Sequence, residues 1–139
     1  MSEVDFVGVL SSEVHLVWSR VEPMIQKALD RGANTDYYHV DDVREMIDDR
    51  RNQLWVAIVD REIEAAFVTS INDFPQCRAF DIHWVGETKM DDWLETAWNG
   101  LVDFARAKGC HVIRGYEREA WLRVLKIKPK TQLIWALDI

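Results

Sequence analysis

Hydrophobic and polar positions along the chain change period several times, and each change marks an element. Val4 to Leu10 alternates and is rich in β-branched residues, which predicts a first strand, with Ser11 or Ser12 capping the helix after it. Val14, Val17, Trp18, Val21, Met24, Ile25 and Ala28 then recur at helical spacing. Pro23 lacks an N–H, so it is expected to kink this helix or to start a second segment near Met24, and Gly32 to end it. A loop over Ala33 to Tyr38 leads to a second, acidic helix marked by Val40, Val43, Met46 and Ile47 and running to about Arg50. Gln53 to Val59 is a nearly continuous apolar run, as expected of a strand covered on both faces. Asp60 and Arg61 suit a tight turn, and Ile63 to Asn72 returns as a long strand broken by Asn72, Asp73 and Pro75.

The next stretch, Arg78 to Cys110, organises the rest. Ala79 to Val85 predicts a strand, Gly86 a sharp turn, and Asp91 and Asp92 the positive end of a helix. Leu94, Ala97, Trp98, Leu101, Phe104 and Ala105 form one broad stripe to lie on the sheet, and Gly109 caps the helix in the left-handed conformation. His111 to Arg114 reads as a short buried strand, Glu119 to Lys126 as a brief helix stopped by Pro129, and Leu133 to Ile139 as a last strand. The order β, α, α, β, β, β, α, β, α, β describes one α/β domain over residues 1–139.

Composition narrows the class. A hydrophobic fraction of 48% and seven Trp exclude disorder and demand a core or interface that houses large rings. No apolar run approaches the roughly 20 residues that span a bilayer, and the first ten residues carry no leader signature, so a soluble, cytoplasmic protein is expected. Cys77 and Cys110 fit neither a zinc pattern nor a disulfide framework, and His15, His39 and His111 lack metal spacing; no metal is expected. From Arg106 to Lys130 eight basic residues face two carboxylates, a balance of +6 within a net charge of −7. That basic 106–130 segment, with Trp93 and Trp121, is a candidate surface for a protein partner. No nucleic-acid motif accompanies it, and the acidic remainder would repel a long polyanion.

Taken together, the hairpin QLWVAIVDREIEAAFVTSI, the helix MDDWLETAWNGLVDFARAKGC and the segment YEREAWLRVLK resemble the GNAT N-acyltransferase superfamily, and small GNAT-like proteins often encoded by bacteriophages in particular. The resemblance covers most of the chain. It implies a mixed twisted sheet with helices on both faces, whose fourth and fifth strands splay apart, acetyl-CoA entering the gap with its pyrophosphate at the start of the long helix, and transfer of an acetyl group to an amine. A virion-associated location would follow for a phage protein that kept the fold as a binding or structural component and lost the chemistry.

The family's phosphate loop follows an Arg/Gln-x-x-Gly-x-Gly/Ala pattern, whose N–H groups cradle the pyrophosphate. At the matching site stand Val85, Gly86, Glu87, Thr88, Lys89, Met90, Asp91 and Asp92, with one glycine and three carboxylates. Val85 to Met90 and Arg118 are the candidate coenzyme residues, although the carboxylates compete for the field a pyrophosphate would use. Asp81 and His83, two apart on a strand and hence on one face, are the candidate bases. The family's helix tyrosine is missing, since Trp121, Arg123 and Val124 occupy that region, and Tyr116 is the nearest candidate acid. Trp84, Trp93, Trp98 and Trp121 are expected around the cleft.

Overall fold

The computed structural model describes residues 3–31, 37–87, 90–116 and 134–139. Strand β1 (Val4–Val9) leads through a 3-10 turn at Ser11–Glu13 into α1 (Val14–Arg31) and α2 (Val40–Asp48). Strands β2 (Gln53–Val59), β3 (Glu62–Phe74) and β4 (Cys77–Glu87) come next as a meander, then α3 (Met90–Ala107), β5 (Val112–Tyr116) and β6 (Ile134–Asp138). The six strands lie in the order β1-β2-β3-β4-β5-β6. All neighbours are antiparallel except β4 and β5, which are joined through α3 and run parallel. The brief helix expected at Glu119 to Lys126 lies outside the described residues.

Helices cover both faces because the central strands are apolar on both. Trp55, Ala57, Ala65, Phe67 and Phe80 point to α3, where they meet Trp93, Leu94, Ala97 and Leu101. Leu54, Val56, Ala66 and Val68 point the other way, to Val14, Trp18, Val21 and Ile25 of α1 and to Val43 and Ile47 of α2. The α3 side is strongly aromatic: Phe67 lies edge-on to Trp93 at 5.3 Å, and Phe104 lies edge-on to Trp55 at 4.8 Å.

Of the expected helix caps, Gly32 lies outside the described residues, and the rest are met with one exception. Gly109, at φ 74°, closes α3 while its N–H and that of Cys110 return to the carbonyls of Arg106 and Ala105. His39 caps α2, its Nδ1 accepting from the Asp41 N–H at 3.2 Å and its own N–H donating to Asp42. The exception is the start of α1, where Leu10 and not a serine takes the N-cap position of the 3-10 turn, without a side-chain cap.

Four further expectations are corrected. No second segment starts at Pro23, since α1 continues to Arg31; Pro23 and Ser19 both face solvent, where water can serve the carbonyl that loses its helical donor. Gly86 is no turn: β4 runs through it to Glu87, and a Cβ there would sit 2.1 Å from the Met24 carbonyl oxygen, so its role is the close approach of α1 to the sheet. Trp93 is wholly buried, because the first turn of α3 already lies on the sheet, so it cannot serve an exposed partner surface. The Trp rings do not gather at one cleft either: Trp93 and Trp98 pack on the α3 side and Trp84 on the α1 side. Trp121 and residues 117–130 of the basic segment lie outside the described residues.

Candidate active site

Two departures from regular pairing shape the sheet around β4. Val68 pairs with Trp84 but Thr69 pairs with Ile82, so His83 is an extra residue bulged out of the ladder with β3. On the other edge, parallel pairing of β4 with β5 ends at Ile82 opposite Gly115. From His83 onward β4 keeps β3, while its pairing with β5 has ended, and Arg31 Nη2 donates to the Val85 carbonyl at 3.4 Å. The bulge and the opening of the sheet therefore coincide.

A polar cluster occupies the α1 side of the sheet at this point. The two-residue turn at Pro75 and Gln76 pairs Phe74 with Cys77, which brings Ser70 opposite Asp81 and leaves Asn72 beside them. Arg114 on β5 closes on Asp81 with two bonds, Nε to Oδ1 and Nη2 to Oδ2, both 2.7 Å. Asn72 Nδ2 donates to Asp81 Oδ2 at 2.6 Å and to Ser70 Oγ at 2.9 Å. Ser70 Oγ lies 2.6 Å from His83 Nε2. Ser70 and Asp81 are buried, whereas His83 keeps partial exposure.

Burial is the largest influence on His83 and lowers its pKa; Asp81 pulls it up and Arg114 pushes it down again. The imidazole is thus neutral at neutral pH. Its ring lies 5.2 Å from that of Trp84, which is in turn met edge-on by Tyr38 at 4.9 Å from the segment between α1 and α2.

The expected bases Asp81 and His83 share this cluster, bridged by Ser70 and Asn72. Tyr116 ends β5 one pair beyond the last β4–β5 contact and is paired with Ile134 of β6. Val85 and Gly86 sit within β4 opposite Phe67 and Ala66, and Glu87 ends the strand opposite Ala65. The Val85 side chain enters the α3 core. Met90 begins α3, with Asp91 and Asp92 in its first turn. Thr88, Lys89 and Arg118 lie outside the described residues. Ser70, Asn72 and Arg114 were not anticipated from the sequence as members of a site. Their signal was the spacing Ser70-x-Asn72 set against Asp81-x-His83 across a two-residue turn, which fixes the register that makes them meet. Among the described residues no group of His, Cys, Asp or Glu could hold a metal, and no helix is long and apolar enough to cross a membrane.

No protein-family profile and no curated protein matches the sequence. Solved structures do match over nearly the whole chain. An aminoglycoside acetyltransferase from an uncultured soil metagenomic sample superposes with a TM-score of 0.69 at 16% identity, covering 99% of this chain and 97% of that one. A GNAT family acetyltransferase from Brucella melitensis in complex with acetyl-CoA gives 0.67 at 9% identity, with 99% and 88% covered. A chain of the NatC complex bound to Gag peptide and CoA gives 0.67 at 10% identity, with 99% of each covered. A single mixed sheet opening between its fourth and fifth strands, with helices on both faces, defines the architectural class. Within that class, the chain has the GNAT acyltransferase fold.

Proposed function

We infer that the protein transfers an acetyl group from acetyl-CoA to an amine, with His83 as the proton acceptor. One observation carries this reading: the sheet opens immediately after Ile82, and the next residue of β4 is a partly exposed histidine on a bulge. An extended thioester arm needs a strand edge to lie along, and the point where β4 pairing with β5 ends, between Ile82 and His83, is where such an edge begins. In this reading Val85, Gly86 and Glu87 bind the arm, while Thr88, Lys89, Met90 and Arg118 meet the phosphates. Bound there, the coenzyme supplies an activated acyl carbon. His83, neutral because it is buried, accepts the proton that leaves the amine. Asp81, both of whose oxygens are held by Arg114 and Asn72, positions the cluster, and the Tyr116 hydroxyl returns a proton to the departing sulfur. A cytoplasmic location goes with this reading.

The test is release of free thiol from acetyl-CoA in the presence of an amine panel. That panel includes a peptide and an aminoglycoside, the kinds of molecule in the names of the structural neighbours. Amine-dependent release that falls at least tenfold in His83→Gln supports the reading. No amine-dependent release across the panel contradicts it. A second reading, a binding or structural protein without the chemistry, is favoured by Asp91 and Asp92 in the first turn of α3, where they satisfy the helix dipole that a pyrophosphate would otherwise use. A bacteriophage particle component would be a protein of that kind.

A further inference from the structure

The direction of every hydrogen in the polar cluster can be worked out, and it changes what His83 can do. Asp81 is paired with Arg114 through both oxygens, so it is an acceptor only, and the Asn72 atom 2.6 Å from its Oδ2 must be the amide nitrogen. That nitrogen's second hydrogen goes to Ser70 Oγ at 2.9 Å. Ser70 therefore already accepts one bond, and its own hydrogen needs an acceptor, because a buried hydroxyl without one is costly. Among the described residues His83 Nε2, at 2.6 Å, is the acceptor in reach. The chain reads Arg114 to Asp81, Asn72 to Asp81, Asn72 to Ser70, Ser70 to His83. Nε2 is thus the bare nitrogen and Nδ1 carries the hydrogen, so Nε2 takes up a proton only from Ser70.

We propose that Ser70 is a catalytic residue that relays the acceptor amine's proton to His83, and that Asn72, anchored on the Asp81–Arg114 pair, is the positioning residue that aims the serine hydroxyl. The inference rests on the acyl-transfer reading. As the amine nitrogen bonds to the acyl carbon, the C–S bond breaks with its electron pair left on sulfur. The proton lost by nitrogen goes to Ser70 Oγ, while the hydrogen already on Ser70 passes to His83 Nε2. The serine is neutral before and after, His83 becomes an imidazolium, and its proton later neutralises the thiolate through solvent or Tyr116. The new positive charge forms beside Asp81 and Arg114, the two charged groups that act on His83. Holding the hydroxyl in advance saves the cost of orienting it during the reaction.

Two measurements on the full chain test this. Nitrogen-15 NMR of the free protein reads the tautomer of His83, and steady-state kinetics with calorimetric titration of acetyl-CoA reads catalysis and binding separately. The expected results are an Nδ1–H tautomer, a kcat about 10²-fold lower in Ser70→Ala with acetyl-CoA affinity unchanged, and most of the rate retained in Ser70→Thr, which keeps a hydroxyl. Asn72→Ala should lower kcat and populate the Nε2–H tautomer. An Nε2–H tautomer in the wild type, or a Ser70→Ala protein that transfers at the wild-type rate, would overturn the relay. Should Ser70→Ala fail to fold, equal loss in the folded Ser70→Thr variant would overturn it as well. Absence of acetyl-CoA binding with the Nδ1–H tautomer in place would instead end the acyl-transfer reading, and the relay with it, while leaving the hydrogen-bond directions standing.

Discussion

Gly86→Ala inserts one methyl group between two backbones and should be among the most destabilising single substitutions in the chain. The added Cβ would lie 2.1 Å from the Met24 carbonyl oxygen, 2.4 Å from the carbonyl carbon and 2.7 Å from the Met24 Cβ. Neither side can yield by rotating a side chain, because β4 is held by its pairing with Ala66 and Met24 lies inside α1. Restoring ordinary contact means lifting α1 from the sheet. A separation of roughly 0.5–1 Å already forfeits a quarter to a half of each dispersion contact along that interface. Overpacking usually costs about 1–3 kcal/mol, and with backbone on both sides the loss here should reach about 3 kcal/mol or more. With a urea slope of about 2 kcal/mol/M, the midpoint should fall by about 1.5 M at unchanged slope. Gly109→Ala is the control. Nothing lies within 4 Å of its Cβ, so it carries only the left-handed backbone cost of about 1–2 kcal/mol. A Gly86→Ala midpoint at or above that of Gly109→Ala would refute the close-approach argument.

Other expectations come from single sites. Asp60 and Arg61 both have positive φ, 49° and 73°, in the β2–β3 turn, so Arg61→Gly should raise stability by about 0.5–1 kcal/mol, and an unchanged or lower urea midpoint would count against this. His83 has a folded pKa below its ordinary value of 6.5, so the unfolded chain takes up the proton first. Its contribution to stability is complete above the ordinary histidine range and is lost as pH falls from there through the lowered folded value. The difference in urea midpoint between wild type and His83→Gln, measured from about pH 8 to about pH 5, should show that slope; a flat difference would contradict it. Asp91→Asn with Asp92→Asn should cost about 1 kcal/mol or less as helix-dipole partners. Adding Glu87→Gly should raise acetyl-CoA affinity most at low salt, and an unchanged affinity would mean that repulsion is not what limits binding.

Much of the fold is legible in the chain because the central strands are apolar on both faces, and Gln53–Val59 is bounded as its apolar run suggests. The stripe on α3 likewise leads directly to its buried residues Leu94, Ala97, Leu101 and Ala105. Gly86 misleads because a glycine needed for close approach and one needed for a turn look alike until the opposing helix is in place. Pro23 misleads because its helical cost depends on which face it occupies, and here that face is wet. At the site, the alternation of Asp81 and His83 is readable locally. Ser70, Asn72 and Arg114 join them only through the β3–β4 register and the parallel crossover to β5, and these are properties of the assembled sheet.

The central claim, that the opening beside His83 holds acetyl-CoA, is tested most directly by calorimetric titration of the full chain with acetyl-CoA, with Trp fluorescence recorded in parallel. Trp84 stands next to His83 on β4 and should report occupancy. Saturable binding with one site per chain, accompanied by a fluorescence change that Trp84→Phe diminishes, is the expected result. No saturable heat or fluorescence change at millimolar acetyl-CoA would contradict the account.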